Sequence, residues 1–298
     1  MVFPQQDPLL SQYMFGVPTF NPGATGSSGM VCATAINRQQ WIGLPGAPAT
    51  TTFNVNAPVK LFGSQSGVGL MIRSDKAGFD SDISISLAYS YFFDLGPGQL
   101  GVGLSGGIIN KTLDPSWVIP SGDVYVPPAG DPLIPENKES FVAFDMGLGA
   151  FYKTDKYYAG FSVTHLNEPE IKYTKGTPYF TRHYYITGGY SFTMSNPAFE
   201  LKPSLLAFSD GRVMQLTLSS VVVYNKKAWG GISYRSGDAI IGMIGFELFN
   251  GIRLGYAFDY SMTDIMKNTS GSHEFLINYC FEISTGRSPM KYKSVRFL

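Results

Sequence analysis

Residues 213–235, VMQLTLSSVVVYNKKAWGGISYR, read as two strands joined by a very short turn. In the first strand Met214, Leu216, Leu218, Val222 and Tyr224 share one face, and Gln215, Thr217 and Ser219 share the other. Successive side chains of a strand point to opposite sides, so this period sets an apolar face against a polar one. Asn225-Lys226-Lys227 supplies the turn, after which Trp229, Ile232 and Tyr234 resume in apolar company. Tyr224 and Trp229 flank the turn, where a membrane interface favours amphipathic rings. A soluble β-sandwich shows the same alternation. The decision rests on whether the pattern repeats and on how its strands are joined.

The chain has 298 residues, 22 Lys+Arg against 22 Asp+Glu, and a charged fraction of 15%. Ordinary soluble domains carry about 25%. Aromatics reach 14%, and 34 residues are glycine. No apolar run approaches the roughly 18 residues that a transmembrane helix needs. Together these point to an all-β protein, either membrane-embedded or a secreted sandwich. The neutral balance argues against a nucleic-acid partner, which selects for a basic face. A complete signal peptide is absent; Met1–Pro4 read as a remnant or an added start, with the mature chain beginning near Gln5. Cys32 and Cys280 read as unpaired small residues, since nothing else suggests a disulfide scaffold. They could pair only if the first and last strands meet, as they do in a closed barrel.

Residues 5–28 carry Pro8, Pro18 and Pro22 and end in glycine and serine, which forbids a long regular element. The segment also carries Leu9, Leu10, Tyr13, Met14, Phe15 and Phe20, so it reads as docked, a plug or a periplasmic cap. From residue 30 onward, strand-like segments fall at 30–40, 50–58, 66–73, 82–93, 99–111, 140–152, 156–166, 182–194, 200–209, 213–224, 228–235, 239–248, 251–260 and 271–281. Alternation is clear in most and poor in 30–40 and 200–209. One set of connections is tight: 94–98, 154–155, 195–199, 225–227 and 249–250. Several in the other set are longer: 41–49, 74–81, 112–139, 167–181 and 261–270. Phe93, Tyr152, Tyr157, Phe192, Tyr224, Trp229 and Phe249 cluster at the tight ends as an aromatic girdle.

Short turns on one side and long loops on the other define an all-β fold, an up-and-down antiparallel transmembrane β-barrel of about 14 strands. An even strand number puts both termini on the periplasmic side. The expected organisation is a 1–29 N-terminal segment, a 30–283 barrel and a 284–298 periplasmic extension. Parity places Arg73, Lys111, Asp145, Arg235, Glu247, Arg253, Asp259, Glu274 and Glu282 in the lumen. A selective pore more often lines itself with one sign of charge; mixed signs imply a packed or plugged interior.

No catalytic or metal signature stands out. Gly103-Leu104-Ser105-Gly106-Gly107 matches GxSxG, but a nucleophile elbow turns from strand to helix after the serine, and here the strand continues. His165 lacks an identifiable serine partner and reads as an interface residue at a strand's outer end. Zinc sites want close ligand spacing, which the scattered His165, His183 and His273 do not supply. Asp75, Asp80 and Asp82, or Asp114, Asp123 and Asp131, follow no EF-hand pattern and read as solvated loop charge. No cofactor is expected.

Several blocks resemble the PorP/SprF family of outer-membrane proteins of the Bacteroidetes type IX secretion system. They are Gln5-Gln6-Asp7-Pro8, 11–15 (SQYMF), 21–23 (NPG), 38–44 (RQQWIGL) with 46–48 (GAP) and 50–53, His165-Leu166-Asn167, Arg182-His183-Tyr184-Tyr185, Trp229 with Ser233-Tyr234-Arg235, and Ser272-His273-Glu274. The resemblance implies a non-enzymatic outer-membrane barrel of the secretion and gliding machinery. It implies protein partners: a secreted surface adhesin with a C-terminal sorting domain, and periplasmic secretion-system lipoproteins or a peptidoglycan-binding protein. The long insertion is the expected partner loop, with Trp117, Ile119, Tyr125 and Val126 as candidate contacts, and Tyr13 and Phe15 as further ones; the alternative is that Trp117 and Tyr125 fold inward and cover the barrel mouth. The alternative is an outer-membrane transporter for hydrophobic small molecules with an N-terminal plug; an outer-membrane hydrolase is a third reading.

Overall fold

The computed structural model describes residues 7–61, 63–115, 137–174, 176–248 and 251–282. Its strands are β1 (Val31–Gln39), β2 (Ala49–Leu61), β3 (Ser64–Ala77), β4 (Asp80–Leu95), β5 (Gly98–Leu113), β6 (Glu139–Lys153) and β7 (Tyr157–Thr164). There follow β8 (His183–Tyr190, resumed at Phe192–Thr193), β9 (Phe199–Ser209), β10 (Met214–Tyr224), β11 (Ala228–Arg235), β12 (Ala239–Glu247), β13 (Ile252–Ser261) and β14 (Ser272–Phe281). Each pairs antiparallel with its sequence neighbours, and β14 pairs with β1, so the sheet closes into the expected 14-stranded barrel. The break in β8 has a local cause. Its two parts keep one register against β9, and the gap faces Lys202 and Pro203. Proline has no N–H to give the ladder.

Side-chain parity holds across residues 214–224. In β10, Met214, Leu218, Val222 and Tyr224 are exposed, while Gln215, Thr217, Ser219, Val221 and Val223 are buried. The outer wall is apolar along its middle band, for example Ile232 at 67% and Ile244 at 64% exposure. That surface belongs in lipid.

Four sequence expectations need correction. The 74–81 connection is not long: β3 and β4 run on until only Gly78 and Phe79 join them, and Gly78 takes the left-handed conformation (φ 60°) the tight turn requires. Cys32 and Cys280 are not unpaired; they lie directly opposite each other across the β1–β14 seam, with Cα atoms 4.1 Å apart, and form a disulfide. Trp229 is not part of the girdle: it points inward, 5.2 Å from the Phe15 ring. Its odd parity, opposite to Ile232 and Tyr234, already placed it there. Glu282 lies past the end of β14 and is exposed. Phe93, Tyr157, Phe192 and Tyr224 do sit exposed near the short turns; Phe249 lies outside the described residues.

The barrel's first strand begins and its last strand ends on the short-turn, periplasmic side. The segment ahead of β1 occupies the lumen. It makes three single 3-10 turns, Tyr13–Phe15, Val17–Thr19 and Pro22–Ala24. Pro18 and Pro22 sit in first-turn positions, where a missing N–H costs nothing. The Asn21 side chain caps the last turn through the Gly23 N–H at 2.9 Å and donates to the Ala150 carbonyl at 3.0 Å. Below it the plug's backbone touches the wall: a Cβ on Gly103 would meet the Pro22 oxygen at 2.3 Å, and one on Gly149 would meet Asn21 Oδ1 at 2.2 Å. The glycine-rich strands therefore make room for the plug.

Candidate functional site

The described part of the plug starts at the outer end of the lumen, where two charged clusters hold it. In the first, Arg38 of β1 and Arg235 of β11 converge on Asp259 of β13, at 2.7 and 3.1 Å. The Ser11 hydroxyl donates to Asp259 at 2.7 Å and accepts from Arg38 at 2.5 Å. Glu274 of β14, fully buried, accepts the Ser11 and Gln12 backbone N–H groups, both at 2.7 Å. Those two N–H groups have no regular element to satisfy them, and the wall carboxylate does so instead.

The second cluster is built around Asp7, the first described residue. Arg73 of β3 makes an ion pair with its carboxylate. His165 Nε2 and His183 Nδ1 donate to it at 3.2 and 3.0 Å, and the Tyr185 hydroxyl at 3.1 Å. His165 Nδ1 lies 2.9 Å from Asp145 of β6. Both His165 nitrogens thus face carboxylates and both must donate, so the ring is an imidazolium. Burial favours its neutral form, but the Asp7 charge and the Asp145 hydrogen bond outweigh that and hold its pKa at about 9. Burial likewise opposes the Asp7 charge, and Arg73, His165 and His183 overcome it, keeping the carboxyl well below its usual range. The charges of Asp7, Asp145, Arg73 and His165 sum to zero.

Asp7, His165 and His183 also offer ligand atoms within 4.8 Å of one another. Sequence spacing did not disclose this grouping. It does not fit a metal well, because Arg73 already lies against the carboxylate and both His165 nitrogens are committed as donors. Nor does it fit a hydrolase: the Nε2 that would take a serine proton faces Asp7. His165 is a buried lumen residue rather than an interface residue.

Several other charges inside the barrel and at its mouth are paired as well. Glu247 meets Arg253 at 3.0 Å near the short-turn end, and Lys111 lies 3.6 Å from Asp80 and over the Phe180 ring. Asp75 bonds Thr50, Asp82 is buried, and Asp114 meets Lys138 at 3.1 Å. Tyr13 and Phe15 are buried in the plug and take no part in any outer surface; their apolar bulk is used against the wall. Trp117, Ile119, Tyr125, Val126, Asp123 and Asp131 lie outside the described residues. The clusters also use residues the lumen assignment missed. Arg38 was hidden because β1 alternates Cys, Thr, Ile and Arg inward against Val and Ala outward, with no apolar–polar contrast. Asp7 and Ser11 stand on no strand, so parity had nothing to say about them.

Beside the plug, a cavity of about 80 Å³ opens toward β2–β6, with Asn54, Ser84, Ser105 and Arg73 among its lining residues. It has room for a few water molecules.

A plugged, closed antiparallel barrel with an apolar outer face defines an outer-membrane protein. The chain belongs to the type IX secretion system membrane protein PorP/SprF family, whose model matches residues 2–279. As a member it is a non-catalytic outer-membrane component associated with type IX protein transport. No curated protein matches the chain. Among solved structures it is similar to the Ralstonia pickettii toluene transporter TbuX, with TM-score 0.54 and 11% identity over 90% of this chain and 94% of that one. It is also similar to the Acinetobacter baumannii outer membrane protein Omp33, with TM-score 0.51 and 8% identity over 85% of this chain and 100% of that one. Identities this low speak to the fold alone.

Proposed function

We propose that this barrel works as a platform that binds protein partners, anchoring or localising a secreted surface adhesin that carries a C-terminal sorting domain. The observation that carries the reading is the plug, fixed at the outer mouth by two buried charged clusters. A transporter needs a lumen that opens; here opening would strip partners from several buried charges, each costly to leave unpaired. The long-loop end is the surface offered to secreted partners. Periplasmic lipoproteins or a peptidoglycan-binding protein would meet the short-turn end.

The test is retention of the organism's own secreted proteins on the purified full-length barrel, beside the same barrel with 115–135 replaced by a short Gly/Ser linker. Surface loops tolerate such changes at small cost in stability, so the variant should fold and lose the retained protein. Uptake of a hydrophobic solute such as toluene by liposomes holding the wild-type barrel, with no protein retained, would overturn the reading in favour of a transporter.

A further inference from the structure

Every strand of a closed barrel needs a neighbour on both sides, and β6 lacks one over part of its length. It pairs with β5 all the way from Lys153 to Glu139. Its pairing with β7 starts only at Leu148, opposite Val163. The turn after β7 covers one further step. Leu166 N–H donates to the Met146 carbonyl at 2.9 Å, Met146 N–H to Asn167 Oδ1 at 3.0 Å, and Asn167 Nδ2 to the Phe144 carbonyl at 2.7 Å. Alternate residues of a strand turn their N–H and C=O to the same neighbour. The groups next in line are therefore the Phe144 N–H and both backbone groups of Val142 and Ser140. Among the described residues, none of these has a partner on that side.

This open stretch differs from another uneven place in the wall. At the short-turn end, residues 58–61 of β2 run past the start of β1. That edge holds Pro58, which has no N–H, and Lys60, the devices by which natural sheets blunt an edge. Ser140–Phe144 holds neither. Unpaired backbone is not tolerated in hydrocarbon, so this edge stands clear of the membrane at the long-loop end. Its outward side chains, Val142 at 54% and Phe144 at 58% exposure, continue an apolar strip through Ile108 and Ile85 across the register.

We propose that the Ser140–Phe144 edge of β6 is an acceptor site for an extended segment of the secreted protein partner, which adds to the barrel wall as a strand. The inference rests on the partner-binding reading above and names the chemistry by which the partner is held. Backbone hydrogen bonds to Ser140, Val142 and Phe144 supply affinity, and alternate apolar side chains of the arriving strand meet Val142 and Phe144. So short an edge buries too little to join two rigid barrels. An extended segment can run on from it over the 167–181 loop, whose Ile171 and Phe180 pack on Ile109 and Ala143.

Photo-crosslinking benzoyl-phenylalanine placed at 142, 144 and, as a control, 148 tests this in the full-length protein in its native outer membrane. Adducts from 142 and 144 should map to one extended stretch of one secreted polypeptide, and 148 should give none. Val142→Pro removes an N–H that faces away from β5, so the barrel should form while retention of that polypeptide falls at least about tenfold. Val142→Lys keeps the backbone and, as a charged edge guard, should lower retention in the same direction if the proline variant fails to fold. Adducts to residues 116–136 of the same chain, or to a second copy, would overturn the proposal. Unchanged retention in a folded Val142→Pro barrel would overturn the edge assignment and leave the platform reading standing. A wild-type barrel that retains no secreted protein would overturn both.

Discussion

Two charged clusters grip the same plug at the same end of the lumen, yet they divide the work differently. Around Asp259 and Glu274 the wall supplies every charge, and the plug brings only a hydroxyl and two backbone N–H groups. Around Asp7 the plug supplies the central carboxylate, while Arg73 of the wall and His165 of the loop bring the cations. The first cluster ties β1, β11, β13 and β14 together around the closing seam and would hold charge in place even without the plug. The second exists only when the plug is seated. One is part of the barrel's construction; the other is a latch.

The largest effect that distinguishes them is expected from Asp259→Ala. It leaves the Arg38 and Arg235 guanidinium groups buried beside a smaller counter-charge, at about 3–5 kcal/mol or more. Barrel folding itself, read by the heat-dependent gel shift, should fail or weaken sharply. Asp7→Asn should cost about 2–3 kcal/mol, the worth of its charge-assisted bonds. The barrel should persist while residues 7–25 become open to protease. A folded barrel with a seated plug in the first variant, or a lost barrel in the second, would reverse the division.

A pH series tests the latch more finely. His165 is raised above 6.5 to about 9, so its charge stabilises the seated plug fully below about 6.5, and that share is lost as pH climbs through about 9. Asp7 is held below 3.8, so its share is present above that value and lost only as pH falls further. Protection of plug amides, their exchange taken relative to the intrinsic rate at each pH, should therefore fall above pH 9, by less than in Asp7→Asn, and stay flat between about 4.5 and 6.5. His165→Asn should flatten the alkaline limb. The smallest change is Tyr185→Phe, which removes one of several bonds to Asp7, worth about 1 kcal/mol; it should speed exchange around Asp7 slightly and leave the barrel untouched.

These clusters also mark how far the sequence could be read. Asp259, Glu274 and Arg235 lie on strands with clean alternation, and parity assigns their side without further help. Arg38 needed the register against β14, because β1 shows no apolar–polar contrast. His165 and His183 are separated by a loop in sequence, and the β7–β8 register, which sets Thr164 opposite His183, brings their rings together. For Trp229 parity is the better guide than its place beside a turn: the ring points inward against Phe15.

The sequence by itself determined the architecture. A period of two, repeated with short and long connections in turn, admits one closed antiparallel barrel, because lipid leaves no other way to satisfy the strands' backbone groups. Tertiary structure alone decided what fills the lumen and where the wall stays open. The plug's contacts join residues more than 200 positions apart, and nothing periodic in an irregular segment encodes them. The bare edge of β6 likewise follows from the difference in length between β6 and β7 once they are in register, a quantity no single strand carries.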